Sequence, residues 1–406
     1  MEDIYDKIDI GQFGGRKVTG TEHMIVCLLD RILKLLDEHP NKSAVIAASL
    51  DWAADFDRQD PTLAIKKFIQ LGVRPSLIPL LISYLSDRKM TVKFNGEVSK
   101  ILSLIGGGPQ GTLLGQLEYI GNSNADIVSE ENGFKYIDDL SILQLVLLSG
   151  LLTEYNCLEH VPSDVGVDQM FLPAQSYATQ DHLNYISNWT DEHLMQLNPT
   201  KCNYMVFSRV QTEIATRLKV KNTKMDRTTV NKILGVWIED SLSWETNTIE
   251  ICRKSYSRVS MLTKLKYTGV PIENLIEIYV LFIRSVTEYC SVAFHSSLTG
   301  EQTTDLERIQ RSCLKIILAE NYVHYVAALQ MTGLDTLYQR REKRMLDFSL
   351  KCIKHPLNKR IFPLSDDVNH DIRSREIFKV NFARTGTYKK SAVPYCQRKL
   401  NEHFAE

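Results

Sequence analysis

Eight cysteines are scattered through the 406 residues, yet no C-x-x-C pair and no Cys/His run at metal-ligand spacing occurs. That absence argues against a structural zinc site and for a reducing compartment. An excess of one charge is lacking too. Lys and Arg number 48 and Asp and Glu 49, a formal net charge of −1, so no global basic field announces a polyanionic partner. The opening stretch MEDIYDKIDIGQFGG is acidic and has no apolar core, unlike a signal peptide. The longest apolar runs, Leu275–Ile283 and Ile142–Leu152, are interrupted or too short to span a bilayer. No repeat or low-complexity segment is present. The expectation is a soluble intracellular protein of nucleus or cytoplasm, with no membrane partner. Its apolar fraction of 44% suffices for a sizeable core, and its length for two to three domains or one multi-lobed body.

Local patterning predicts an α+β half to about residue 243 and an all-helical half after it. Apolar residues recur at helical spacing over Thr21–Leu36. Ala44–Leu50 reads as a buried strand ending at Asp51. Pro61 opens a helix through Leu71, and a second helix runs from Pro75 to Leu85. Asn95-Gly96, between Met90–Phe94 and Glu97–Ile101, signals a hairpin. A glycine-rich loop, Gly106–Gly111, leads into an apolar helix over Leu113–Ile120. Residues 150–178 read as loop, Asp181–Leu194 as helix, Tyr204–Ser208 as strand, and Thr229–Ile238 as carrying a further strand. Helices follow, among them Ile249–Lys266, Ile272–His295 and Thr303–Ile317.

Three features carry chemistry. Tyr136-Ile137-Asp138-Asp139-Leu140 reads as a strand–turn–strand with two carboxylates at its tip. Adjacent aspartates repel unless a cation lies between them, and oxygen ligands suit a divalent metal; a solvated turn is the plainer alternative. Asp51 ends a buried strand, and with Asp138 and Asp139 it could give three carboxylates from two neighbouring strands, a set suited to two Mg2+ ions in phosphoryl transfer. Gly107–Thr112, GGPQGT with its neighbour, would let backbone approach a ligand closely, or is a loop before a helix. Basic residues cluster over 209–232 and 340–360; alone these are solvated faces, and they gain meaning only beside a polyanion.

In this order the features resemble the reverse transcriptase of non-LTR (LINE-type) retrotransposons, over nearly the whole chain. Gln12-Phe13-Gly14-Gly15-Arg16-Lys17 resembles the family's glutamine-to-basic fingers stretch. Leu50-Asp51 through Phe56-Asp57-Arg58 resembles motif A, Gly107–Gly115 motif B, and Phe134–Asp139 motif C. Leu197–Cys202, LNPTKC, resembles motif D, while Ile233-Leu234-Gly235 with Leu242-Ser243-Trp244 resembles the primer-grip region. Tyr279, Arg284, Glu288-Tyr289 and Leu306–Arg311 resemble thumb and post-polymerase helices.

The resemblance implies a right-hand polymerase palm with partial fingers, followed by an all-helical thumb and C-terminal helical region. Residues 1–45 would be partial fingers, 46–243 the palm with motifs A to E, 244–330 a thumb-like region and 331–406 a basic helical region. Asp51, Asp138 and Asp139 would hold two Mg2+ ions, with Mn2+ as a substitute. Lys201 would protonate the leaving pyrophosphate, unless it is a solvated loop lysine. Phe56 would be the steric gate selecting deoxynucleotides, Gln110 and Gly111 would line the nascent base pair, and Tyr136 would pack under the primer end. Arg16 and Lys17 would contact template or incoming nucleotide, and Leu234 and Gly235 would grip the primer. The partners implied are an RNA template, a DNA primer and deoxynucleoside triphosphates.

The chain also departs from the family. The upstream finger strands and an endonuclease are expected to be absent. Asp55 stands where a small residue is usual beside the gate. QLEYIGNSNADIVSEENG replaces the usual helix between motifs B and C. A second class therefore stays open: a truncated, inactive retrotransposon remnant that only binds nucleic acid.

Overall fold

The computed structural model describes residues 8–53, 58, 60–109, 112, 115, 132–147, 170–171, 176–193, 195–210, 214–215, 218–365 and 377–405. They form two compact units. Met1–Met24 with Asn41–Thr228 makes the first, and Ile25–Pro40 with Thr229–Glu406 the second. The expected helix over Leu113–Ile120 and most of the expected loop over 150–178 lie outside the described residues.

The first unit is built on a five-stranded sheet. Its strands in chain order are Ser43–Leu50 (β1), Gly133–Tyr136 (β2), Asp139–Leu147 (β3), Asn203–Ser208 (β4) and Asp226–Arg227 (β5). Their spatial order is β5-β4-β1-β3-β2, antiparallel throughout except where β5 joins β4. β1 is central and buried on both faces, which is why SAVIAASL reads as a run without alternation. On one face Ala44, Ile46, Ala48 and Leu50 join Leu140, Ile142 and Val146 of β3 and Tyr204 and Val206 of β4 in one apolar core. Leu183, Ile186 and Trp189 cover it from the helix Ser176–Glu192 (α1), three residues apart along one helical face. Trp52, just past β1, meets Trp189 edge-on with ring centroids 6.2 Å apart.

Local signals hold where a capping or turn residue is explicit. Asp60 caps the helix Pro61–Gln70, accepting from Thr62 N at 2.6 Å and Leu63 N at 3.2 Å, with Pro61 in the first turn. Asn95 and Gly96 both take positive φ, 48° and 88°, between Lys93–Phe94 and Glu97–Val98, as a two-residue hairpin turn requires.

The second unit holds a hairpin and a helical array. In place of one strand over Thr229–Ile238 there are two, Val230–Ile233 and Val236–Glu239. Leu234 and Gly235 form the turn between them at φ 46° and 88°; a non-glycine residue at the first position hides such a turn from sequence inspection. Glu245–Tyr267, Gly300–Leu318 and Leu337–Lys354 are long helices, the last two begun by the capping boxes Thr299/Gln302 and Thr336/Gln339. The single helix expected over Ile272–His295 is broken. Ile272–Ile278 runs into a π turn at Tyr279–Arg284, and Cys290 turns the chain with φ 51°. The break frees Tyr289, whose hydroxyl donates to Leu234 O at 2.7 Å. Apolar periodicity continues across that break, so the pattern alone could not reveal it. Among the described residues no helix is long and apolar enough to cross a membrane.

Candidate active site

Strand register brings the three expected carboxylates together. β1 and β3 pair from Ser43↔Leu147 to Leu50↔Leu140. Continued one step, that register would set Asp51 opposite Asp139, and the Asp51 charge does act on the Asp139 carboxyl. β2 and β3 close with Tyr136↔Asp139, so Ile137 and Asp138 form the two-residue turn itself. The electrostatics agree with this placement. Burial first, then the Asp138 and Asp51 carboxylates, push the Asp139 carboxyl up to about 6.

Ile137 departs from ordinary turn chemistry. Its φ is 58°, and Asp138 is not among the residues of positive φ. That is the pattern of a type II′ turn, which normally places glycine at its first central position. A β-branched residue there is strained, at roughly 1–3 kcal/mol, and persists only when its surroundings hold it. Ile137 also packs on the core of the first unit.

Lys201 reaches the same cluster from a separate turn. Trp52 bridges Leu197, Ala53 N donates to Gln196 O at 2.7 Å, and Asn198 N donates to Asp51 O at 2.8 Å. The chain then folds back on Asn198 O, so Lys201 Nζ lies 3.4 Å from Asp51 Oδ2. Both side chains are well exposed, at 65% and 40%, which limits the pair to roughly 0–1 kcal/mol. Cys202 is a support that sequence reasoning missed. It is buried beneath Asp51, whose N–H donates to Sγ at 3.5 Å, and burial pushes its thiol up to about 11. The signal for it was an apolar-type residue between an exposed turn and β4.

A divalent cation suits this donor set. Three carboxylates repel one another through Asp139, and hard oxygen ligands supplied a few at a time match Mg2+, which keeps water and substrate oxygens as its other ligands. Among the described residues no three His, Cys, Asp or Glu side chains already converge on one metal position.

The other expected site residues are dispersed. Phe56, Gln110 and Gly111 lie outside the described residues. Beside them, Thr112 Oγ1 donates to Pro109 O at 2.9 Å and Arg88 donates to Gly107 O at 2.7 Å, fixing the flank of the glycine loop. Arg16 is buried, its guanidinium donating to Ile8 O at 2.5 Å and Asp9 O at 2.8 Å. Lys17 is exposed. Tyr136 is half-buried at the end of β2.

Leu234 and Gly235 belong to the second unit, beside a groove of about 340 Å3. Lys232, Lys254 and Arg258 line it together with Trp237, Asn247 and Tyr289, against one carboxylate, Glu250. Trp237 Nε1 and Asn247 Nδ2 are buried donors without a hydrogen-bond partner among the described residues. Cations and unsatisfied N–H groups in one groove suit an anion.

No protein-family model matches the chain. Its curated relatives include the probable RNA-directed DNA polymerase from transposon BS of Drosophila melanogaster, 24% identical over 254 residues, or 62% of this chain and 26% of that protein. Another is the RNA-directed DNA polymerase from mobile element jockey of Drosophila funebris, 23% identical over 290 residues, or 68% of this chain and 28% of that protein. The chain is similar to the reverse transcriptases of non-LTR mobile elements. It spans about a quarter of the length of these relatives. Among solved structures, apo telomerase from Candida tropicalis aligns at TM-score 0.40 and 12% identity, covering 87% of this chain and 52% of that one. Telomerase from Candida albicans with a telomeric RNA fragment aligns at TM-score 0.34 and 11% identity, covering 89% and 55%.

Proposed function

We propose that the chain is the polymerase core of a non-LTR retrotransposon reverse transcriptase, extending a DNA primer with deoxynucleotides on an RNA template. The observation that carries this reading is the register that, continued one step, would set Asp51 opposite Asp139, with Asp138 in the adjoining turn and Lys201 3.4 Å from Asp51. On this reading residues 46–243 are the palm, 1–45 partial fingers, 244–330 a thumb-like region and 331–406 a basic helical region.

In the reaction the primer 3′-hydroxyl loses its proton to solvent water and attacks the α-phosphorus, the α–β phosphoanhydride bond breaks, and pyrophosphate leaves. Held by Asp51, Asp138 and Asp139, Mg2+ ions (or Mn2+) would supply charge neutralisation and Lewis acidity at the reacting oxygens. The carboxylates orient the primer end and the triphosphate against each other, the positioning on which nucleotidyl transfer depends. Lys201, weakly tied to Asp51 in the free chain, swings to the β-phosphate and gives its Nζ proton to the departing pyrophosphate. Phe56 would gate the sugar, Gln110 and Gly111 would line the nascent base pair, and exposed Lys17 would contact template or incoming nucleotide, whereas Arg16 is buried against the Ile8 and Asp9 carbonyls and serves the fold. Leu234 and Gly235 grip the primer, and the cationic groove beside them follows phosphates.

Primer extension on poly(rA)/oligo(dT) with Mg2+ tests this. The expected result is dTMP incorporation that disappears in Asp138→Ala. Duplex binding without incorporation would instead mark a remnant that only binds nucleic acid.

A further inference from the structure

The catalytic turn is strained at Ile137, and something must hold it. Residues 8–16 run beside β2 with backbone pairing of their own. Phe13 N donates to Lys135 O and Lys135 N to Gly11 O, each at 2.8 Å, with Gln12 bridged in parallel to Lys135. Phe13 stacks on Phe134 with ring centroids 6.4 Å apart and planes within 8°. Lys135 and Asp9 form an ion pair beneath, with side chains only 6% and 13% exposed. Arg16 ties the start of the segment through its bonds to the Ile8 and Asp9 carbonyls.

This segment ends against the turn. Gln12 is 2% exposed, and its Oε1 accepts from two backbone donors, Gly14 N and Ile137 N, each at 3.0 Å. At positive φ the Ile137 N–H leaves the strand ladder, and a part-buried donor left unpaired is destabilising. Gly14 closes from the other side. A Cβ built there would lie 2.6 Å from both Ile137 N and Ile137 Cγ1, so the approach needs glycine. One carbonyl oxygen and one glycine thus hold the residue that precedes Asp138.

We propose that Gln12 is a positioning residue that, with Gly14, holds the strained Ile137 turn and so sets Asp138 and Asp139 for metal and substrate. The catalytic consequence rests on the reverse transcriptase reading; the clamp itself does not. Gln12 touches no reacting atom in this scheme. Its effect passes through Ile137, where a shift of about 1 Å in the carboxylates suffices for a loss near 100-fold.

The test compares Gln12→Met, which keeps length and removes the acceptor, with the double variant Gln12→Met/Ile137→Gly, in which glycine takes the positive φ without strain. Hydrogen exchange of the full chain is read at residues 134–140 and at β4 as an internal control. Gln12→Met should speed exchange at 134–140 about tenfold and leave β4 unchanged. It should weaken Mn2+ binding, measured by paramagnetic resonance titration, and lower kcat for dTMP addition 10- to 100-fold with KM for dTTP within twofold. Ile137→Gly in the double variant should restore kcat to within about threefold of Ile137→Gly alone. Unchanged exchange at 134–140, or exchange raised equally at β4, overturns the clamp, the latter because Gln12 would then only hold the fold. A normal kcat in Gln12→Met overturns its catalytic consequence. If the unaltered chain neither binds Mn2+ nor incorporates dTMP, the polymerase reading fails, while the exchange data still decide the clamp.

Discussion

Asp30 supplies a stability prediction whose size follows from its surroundings. It lies on the helix Thr21–Glu38, in the part that belongs to the second unit. Its Oδ1 has no hydrogen-bond partner among the described residues. Burial raises the carboxyl to about 6, against the lowering influence of Lys34, of a hydrogen bond with Tyr388 and of Arg31. The unfolded value is about 3.9. The folded chain therefore binds the proton more tightly, so this group's contribution is full below pH 4, falls as pH rises from about 4 to about 6, and is constant above. A difference of about two pH units corresponds to roughly 3 kcal/mol of destabilisation at neutral pH. A cavity of about 20 Å3 lined by Asp30, Trp244 and Ser391 is the size of one water, which brings the expectation to about 2 kcal/mol. Asp30→Asn keeps the shape and an acceptor for Tyr388 while removing the charge. Urea unfolding of the full chain, followed through the second-unit transition, should show the variant about 2 kcal/mol more stable at pH 7.5, or roughly 5 °C in Tm. At pH 4 the gain should fall below about 0.5 kcal/mol. A gain equal at both pH values, or a loss at pH 7.5, refutes desolvation of the charged form as the cause.

Other consequences concern the candidate site and its supports. Lys201→Ala should lower single-turnover dTMP addition about 100-fold or more, with unfolding free energy changed by less than about 1 kcal/mol because the Asp51 pair is exposed. Glu239 accepts from Thr246 N at 2.8 Å and Glu245 N at 3.2 Å, and also from the Ser243 and Thr246 hydroxyls. Burial raises its carboxyl, but these bonds together outweigh that and hold it below the usual range. Glu239→Ala should thus cost about 1–2 kcal/mol at neutral pH. That contribution is present above the unfolded value near 4.3 and disappears as pH falls through the lower folded value, so acid titration of unfolding should erase the difference. Lys232→Ala, in the groove of the second unit, should weaken duplex binding at every sequence and reduce the slope of log K against log salt by about 0.9 if its ammonium meets a phosphate; an unchanged slope would remove the groove from the nucleic-acid path.

What could be read from the residues, and what could not, divides along physical lines. β1, the Asn95-Gly96 hairpin and the helix opened by Pro61 were legible because burial, positive φ and the first helical turn each impose a residue type at a fixed place. Asp51, Asp138 and Asp139 were legible as candidates because adjacent carboxylates repel unless something cationic meets them, and the electrostatics put the Asp51 and Asp138 charges within reach of Asp139. The hairpin turn at Leu234 was not, and at Ile137 the turn was legible but its backbone conformation was not, because in each a bulky residue occupies a conformation that normally advertises itself with glycine. Such positions are over-determined by contacts from elsewhere in the chain: Tyr289 reaches Leu234 from 55 residues away, and Gln12 reaches Ile137 from 125. A lone sequence carries no trace of such a pairing, since the resemblance marks Gln12 and Tyr289 but not the backbone atom each one holds. Strain is therefore the better guide to hidden site residues here than residue type. It points from the turn to its clamp, whereas composition points only to the carboxylates that the clamp serves.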